Sequence, residues 1–293
     1  MNAESSAACL PAGTADRTPA LEDLLRDWGL RHAPFADDDK ATEIFPAPSQ
    51  REALPLLDTT AALRGLMVLT GPPGSGKSAL LKSWLPALEP KRHLPLLITQ
   101  SSLSAAGVLE MILAKLGESP RFKRSANLLA LEARLAQIAP LTLVLVLDDA
   151  HNYPAPALEE IRLLLGLGGG RRPAFALVLL GDQYLLGGLR LAVQRALFSR
   201  ISAAHQLAPL PRELAGDYLY WHLRRAGMNR DVFQPAAIDL LAEAAEGSPR
   251  TLNLLAQAAW LAAARQGRSE VQPDHVHLAL RQVPAAAAKL PER

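Results

Sequence analysis

One eight-residue stretch, Gly71-Pro72-Pro73-Gly74-Ser75-Gly76-Lys77-Ser78, restricts this 293-residue chain more than anything else in it. It satisfies G-x-x-x-x-G-K-[ST] in full, and each specified position has a physical task. Backbone N–H groups must turn inward around phosphates, so glycine is needed where a Cβ would block their approach. Lys77 brings positive charge to the β- and γ-phosphates, Ser78 offers a hydroxyl to Mg²⁺, and Ala79 follows in the same turn. A helix starting at Lys77 points the positive end of its dipole at the nucleotide. The motif has meaning between a strand and a helix. Here the apolar run Leu66–Thr70 stands directly before it and a helical pattern over Lys77–Leu88 directly after. The expectation is an ATP site with bound Mg²⁺.

The surrounding pattern predicts an α/β fold. Apolar runs at Leu66–Thr70, His93–Thr99, Leu141–Leu147 and Ala174–Leu180, with a weaker one at Ala203–Leu207, read as strands. Helical periods fall between them, over Ser104–Leu116, Ser125–Ile138 and Pro156–Leu165. Continuous apolar strands separated by helices mean a parallel sheet covered on both faces. After Pro209 the strands stop. Pro211–Ala226, Pro235–Ala245, Pro249–Gln266 and Pro273–Gln282 read as helices, each with Pro near its first turn, as a small all-helical domain. Ahead of the sheet, a helix is expected at Leu21–Trp28 and another from Ser49 to about Leu63, kinked or restarted at Pro55. The expected organisation is a tail over 1–19, an extension over 20–64, the P-loop domain over 65–208, a helical lid over 209–283 and a tail over 284–293.

Composition excludes several classes. A hydrophobic share of 49% and a mean hydropathy of +0.08 describe a globular chain. No run of 18 apolar residues exists, so no membrane-spanning helix is expected. Cys9 is the single cysteine, so an intrachain disulfide is impossible; with no basic, apolar leader at Met1–Ser5, the expected location is the cytoplasm. The net charge of +2 does not by itself point to nucleic acid. Seven of the 31 basic residues are lysine, leaving 24 arginines, a bias that suits phosphate contacts but also follows from a GC-rich genome.

The third strand runs straight into Asp148-Asp149-Ala150-His151. A carboxylate at the carboxyl end of a parallel strand beside a phosphate loop can hold Mg²⁺, a role assigned to Asp148 together with Ser78. Asp149 is the next carboxylate, at the position where hydrolytic relatives carry the group that orients the attacking water. Leu179-Leu180-Gly181-Asp182-Gln183 ends the fourth strand where ligands collect, so Asp182 or Gln183 is a γ-phosphate sensor candidate. Arg200, in Phe198-Ser199-Arg200-Ile201, can reach a neighbouring subunit's nucleotide, with Arg195 as the competitor. In Gly247-Ser248-Pro249-Arg250, an Arg at a helix N-terminus gains nothing from the dipole, so a ligand phosphate is its better explanation. Trp221 and Trp260 are read as core, and His151 and His222 as structural.

With loop, carboxylates, Arg200 and Gly247-Ser248-Pro249-Arg250 in this order, the chain resembles AAA+ ATPases of the ExeA or general-secretion-A group, relatives of the transposition ATPases TniB, TnsC and MuB. Further strings carry the likeness: Trp28-Gly29-Leu30 with Pro34-Phe35, Ile44-Phe45-Pro46 with Arg51-Glu52-Ala53-Leu54, Leu223-Arg224-Arg225-Ala226-Gly227, and Arg250-Thr251-Leu252-Asn253. The resemblance implies that Pro34–Phe45 packs near the adenine and that subunits assemble as ATP-dependent rings or filaments. Family members usually carry Glu where this chain has Asp149. One methylene shorter, Asp149 sets its carboxylate roughly 1.5 Å back, which implies slow hydrolysis. Secretion members continue into a membrane span and a wall-binding domain; this chain ends just after its lid. The preferred expectation is therefore a DNA-binding transposition helper, with double-stranded DNA and a transposase as partners. Arg121, Lys123 and Arg124 are its candidate phosphate contacts. The alternatives are a secretion or envelope ATPase acting on protein partners, and a small-molecule kinase; the separate lid and the in-trans Arg200 argue against the kinase.

Overall fold

The three central strands of the described residues are buried on both faces, while the two edge strands are partly exposed, and the order in which the strands pair places the phosphate loop. The computed structural model describes residues 20–36, 43–169 and 172–284. The tail read over 1–19 and residues 285–293 lie outside the described residues. In chain order the elements are α1 (Leu21–Trp28), α2 (Pro48–Leu63), β1 (Leu66–Thr70), α3 (Lys77–Ala87), β2 (His93–Ile98), α4 (Ala105–Lys115), α5 (Arg124–Ile138), β3 (Thr142–Leu147), α6 (Ala155–Leu164), β4 (Ala176–Gly181), α7 (Leu185–Leu189), α8 (Arg195–Phe198) and β5 (Ala203–Gln206). Four helices follow: α9 (Ala215–Arg225), α10 (Pro235–Ala245), α11 (Pro249–Arg265) and α12 (Pro273–Gln282).

The five strands form one parallel sheet in the order β2-β3-β4-β1-β5. Alternate residues of a strand point to opposite faces. On one face Met67, Leu69, Val144, Val146 and Val178 meet Ala53 and Leu57 of α2 and Leu80 and Trp84 of α3. On the other, Leu66, Val68, Leu145 and Leu177 meet Val108 and Ile112 of α4, Leu131 of α5 and Ile161 of α6. Both faces are covered, which is why the strands read as unbroken apolar runs rather than alternating ones. β1 lies between β4 and β5, with Thr70 opposite Gly181 and Gln206. β3 stands one strand further out, beyond β4. The loops after β1, β3 and β4 therefore open at the same carboxyl edge, where ligands of such sheets bind.

Three local expectations change. Helix α2 passes through Pro55 as a single helix. Pro55 sits on the exposed side, where water can satisfy the carbonyl its missing N–H leaves free, and Thr59 Oγ1 donates to the Pro55 carbonyl at 2.8 Å. The first helix after Pro209 starts at Ala215 rather than Pro211, because Pro211 is extended (ψ 140°) and a short 3₁₀ turn over Arg212–Leu214 comes first. Helices α7 and α8 were not anticipated; at five and four residues they are too short to show a period.

The helical region has its own core around Trp260, which is fully buried. Helix α1 belongs to this core: Trp28 packs edge-on against Trp260, with ring centroids 6.0 Å apart. The extension before the sheet thus divides, α1 joining the helical region and α2 the sheet. Among the described residues, no helix is long and apolar enough to cross a membrane.

Candidate nucleotide-binding site

The phosphate loop closes on itself through its own lysine. Lys77 Nζ donates to the carbonyls of Gly71 at 2.8 Å and Pro72 at 3.1 Å, so both residues shape the loop. Burial lowers the Lys77 pKa from its ordinary value, and Arg250 adds to that, while Asp148, Asp149 and Asp182 pull the other way. Ser75 is buried behind the loop, its hydroxyl without a hydrogen-bond partner. Pro73, Gly74, Gly76, Lys77, Ser78 and Ala79 line an open cleft of about 600 Å³.

The carboxylates converge on the same cleft. Ser78 Oγ donates to Asp148 Oδ2 at 3.4 Å, so one hydroxyl and one carboxylate, both hard oxygen donors, face each other. Among the described residues, no group of three or more His, Cys, Asp or Glu side chains is placed to hold a metal ion. A two-oxygen set of this kind suits Mg²⁺, whose remaining positions go to phosphate and water. The Asp148 side chain also accepts from the Asp149 backbone N–H at 2.9 Å. Asp149 is exposed in the left-handed region (φ 48°, ψ 42°), where Asp is tolerated better than most side chains. Tyr153 anchors the loop behind them by donating to the Gln100 carbonyl at 2.7 Å; burial, with Asp148 near it, pushes its phenol up to about 12.

The loop after β4 contributes Asp182 to the cleft, whereas Gln183 is not part of its lining. One Asp182 oxygen accepts the backbone N–H groups of Tyr184 and Leu185, and its own N–H donates to His151 Nδ1 at 3.3 Å. His151 therefore ties two loops together within the cleft wall.

Arg250 reaches the cleft from the N-terminus of α11. Its backbone N–H donates to the Gly74 carbonyl at 3.3 Å, a direct contact between helical region and phosphate loop. The approach depends on two glycines. Gly247 (φ 73°) lets the chain pass where a Cβ would stand 2.6 Å from Pro209 Cβ and 2.8 Å from the Leu210 carbonyl. At Gly74 (φ 79°) a Cβ would lie 2.7 Å from Ser248 Oγ and 3.0 Å from Arg250 Cβ. Gly74→Ala is thus expected to cost about 1–3 kcal/mol of stability and to weaken nucleotide affinity at least about tenfold, by pushing the helical region off the loop. Urea unfolding with and without ATP checks both; unchanged affinity would show that the contact is incidental.

Arg200 and Arg195 stand elsewhere. Both are exposed and neither lines the cleft; Arg200 Nη1 donates to the Arg162 carbonyl at 2.6 Å. The basic run is also divided. Arg124 forks onto the buried carboxylate of Glu160 at 3.1 and 2.8 Å, so it holds α5 to α6 rather than being free for a phosphate. Asn127, also buried, clamps the backbone N–H and carbonyl of Arg121 at 2.6 and 2.9 Å. Between these anchors Phe122 and the side chains of Arg121 and Lys123 project into solvent.

The part of the far wall that α9 forms was missed in the sequence. Tyr218, Trp221, His222 and Arg225, at the i, i+3, i+4, i+7 spacing, form one face of α9 and line the cleft. Trp221, read as core, is only half-buried, with the Arg225 guanidinium 4.7 Å from its ring centroid; Trp260 is the core residue of the two. Ile44 and Phe45 complete this wall, the Phe45 ring meeting Tyr218 at 5.4 Å. Residues 37–42 of the segment expected near the adenine lie outside the described residues. The available signal was the spacing on α9, where four ring-bearing or cationic side chains share a face that a core would fill with aliphatics.

Comparison with known proteins agrees with this architecture. Residues 61–189 match the family described as AAA domain. The chain is 27% identical over 263 residues to General secretion pathway protein A of Aeromonas hydrophila, covering 87% of this chain and 48% of that protein. It thus spans about half the length of this curated relative. Its fold is similar to that of Cdc6p from Pyrobaculum aerophilum, with a TM-score of 0.69 and 21% identity over 85% of this chain and 70% of the other. It is also similar to that of the Aeropyrum pernix ORC1 protein in complex with DNA, with a TM-score of 0.64 and 20% identity over 83% and 67%. Residues 61–189 are thus similar to an AAA domain, within a chain similar over most of its length to the secretion protein and in a fold shared with Cdc6 and ORC proteins.

Proposed function

We propose that this chain is an ATP-dependent switch that assembles with copies of itself in the cytoplasm, binding duplex DNA and handing it to a transposase. The observation that carries the switch is the bond from the Arg250 backbone to the Gly74 carbonyl. A helical region resting on the phosphate loop moves when the loop's contents change, and its surface then changes for a partner.

In this reading Gly74, Gly76 and Lys77 cradle the triphosphate, and Arg250 neutralises its outer charge. Ser78 and Asp148 would hold Mg²⁺, which shields phosphate charge during the displacement. Asp149 orients the attacking water from a set-back position, and hydrolysis is slow. Asp182 lines the same region. Arg200, outside its own cleft, serves the nucleotide of the neighbouring subunit. Arg121 and Lys123, held out on the clamped turn between α4 and α5, contact DNA phosphates.

DNA-bound assembly is supported by those two exposed cations and by a fold shared with a protein solved on DNA. The expected result is ATP-dependent assembly on duplex DNA that weakens steeply with salt, by sedimentation or electron microscopy. Replacing Arg121 and Lys123 with Ala is expected to flatten the salt slope by about one unit per lost phosphate contact. Assembly with ATP alone, indifferent to DNA, would overturn this part. It would favour the second reading, a secretion or envelope ATPase acting on protein, which the likeness to General secretion pathway protein A supports.

A further inference from the structure

We propose that His222 selects the nucleobase, its Nε2 accepting a hydrogen bond from the 6-amino group of adenine, so that the site takes adenine and rejects 6-oxo purines. The inference rests on the nucleotide-binding reading above and adds to it a specificity-determining residue.

The cleft has two chemically different walls. Lys77, Ser78 and the glycines of the phosphate loop form one; Ile44, Phe45 and the α9 face form the other. A nucleotide with its phosphates on the first wall turns its base toward the second. Phe45 and Trp221 offer that base apolar surface but no direction. Direction comes from a polar group that is fixed, and His222 is fixed in three ways.

Its Nδ1 lies 3.1 Å from the Pro34 carbonyl oxygen. A carbonyl oxygen only accepts, so Nδ1 carries the hydrogen and Nε2 keeps the lone pair. Rings surround the imidazole and hold its plane: Tyr218 at 4.7 Å, Trp221 at 4.8 Å and Phe35 at 5.7 Å between centroids. Burial, with the Arg225 guanidinium beside it, brings its pKa down to about 4, so the lone pair is available at neutral pH.

A fixed acceptor discriminates where a carboxamide does not. Gln50 also lines the cleft, but an amide can turn either its oxygen or its nitrogen outward. Nε2 has only the lone pair. It matches the amino group of adenine and opposes the carbonyl of guanine or hypoxanthine, leaving two acceptors face to face.

The test displaces N-methylanthraniloyl-ATP from the full chain with ATP, GTP or purine riboside triphosphate, which has neither substituent at carbon 6. Wild type is expected to prefer ATP by about tenfold over purine riboside triphosphate and by more over GTP. In His222→Phe, which keeps an aromatic ring but has no acceptor, ATP and purine riboside triphosphate converge. Loss of packing alone would weaken all three together and leave the ratio intact. Equal binding of ATP and purine riboside triphosphate by wild type overturns the proposal while the nucleotide-binding reading stands. Failure of every triphosphate, the probe included, overturns that reading and the proposal with it. Nitrogen-15 spectra of the wild-type imidazole need no variant: the Nε2 resonance of His222 moves with ATP and not with purine riboside triphosphate, and a resonance unmoved by ATP counts against the assignment.

Discussion

Lys77→Ala is expected to weaken ATP binding by about a thousandfold and to abolish phosphate release. The ammonium is the cation that the loop holds over its own mouth, on the carbonyls of Gly71 and Pro72. It is partly desolvated already, as the lowering of its pKa by burial shows, so little further desolvation is needed when phosphate arrives. A unit charge about 4 Å from a phosphate oxygen at an effective dielectric near 20 is worth about 4 kcal/mol, or roughly a thousandfold in affinity. The substitution also leaves Asp148, Asp149 and Asp182 without their shared cation, which adds repulsion toward the triphosphate. Fluorescent nucleotide titration measures the first effect. Thermal unfolding separates it from misfolding: ATP raises the wild-type melting temperature and leaves that of the variant unchanged. Affinity within a few-fold of wild type would remove Lys77 from the site.

Asp149→Glu is expected to act in the opposite direction, raising phosphate release by about ten- to a hundredfold. The added methylene advances the carboxylate by roughly 1.5 Å, and misplacement of about 1 Å at a reacting centre costs on the order of 10²-fold. The backbone adds a second consequence. Asp149 is left-handed, a conformation that Asp tolerates and that costs most other residues about 1–2 kcal/mol. Glu at this position should therefore lower the melting temperature by about 2–4 °C while the turnover rises. A split of that kind, faster and less stable, is the signature of a residue kept short for its backbone at the expense of reach. Turnover that stays level or falls would refute the role given to Asp149.

The phosphate loop was legible because its parts are contiguous. Strand, glycines, lysine and helix occupy residues 66 to 87, and each local preference agrees with the others. The parallel sheet was legible for a related reason, since strands covered on both faces must be apolar throughout. Arg250 was placed in the cleft by a sequence argument that needed no distance, only the mismatch between a cation and the positive end of a helix.

Other features depend on residues far apart in the chain. Arg124 looked like a free cation until α6 brought Glu160 beneath it, 36 positions away. Trp221 looked like core because a large aromatic on a helix usually is; whether its face meets aliphatics or an open cleft is decided by where α9 docks. The conformation of Asp149 gave no sign in its composition, because Asp is at home in turns of every kind.

A phosphate loop at the end of a buried strand could be read from the residues alone, because that site is built from one short segment by local backbone geometry. What faces the loop is set by how distant elements dock. Residues 218–225 and 248–250 come to residues 71–78 across about 150 positions, through a turn that requires Gly247 and a core centred on Trp260. Contacts made over such separations follow from packing of whole elements; the local patterns mark Arg250 for a phosphate and put rings on one face of α9, but bring neither to the loop.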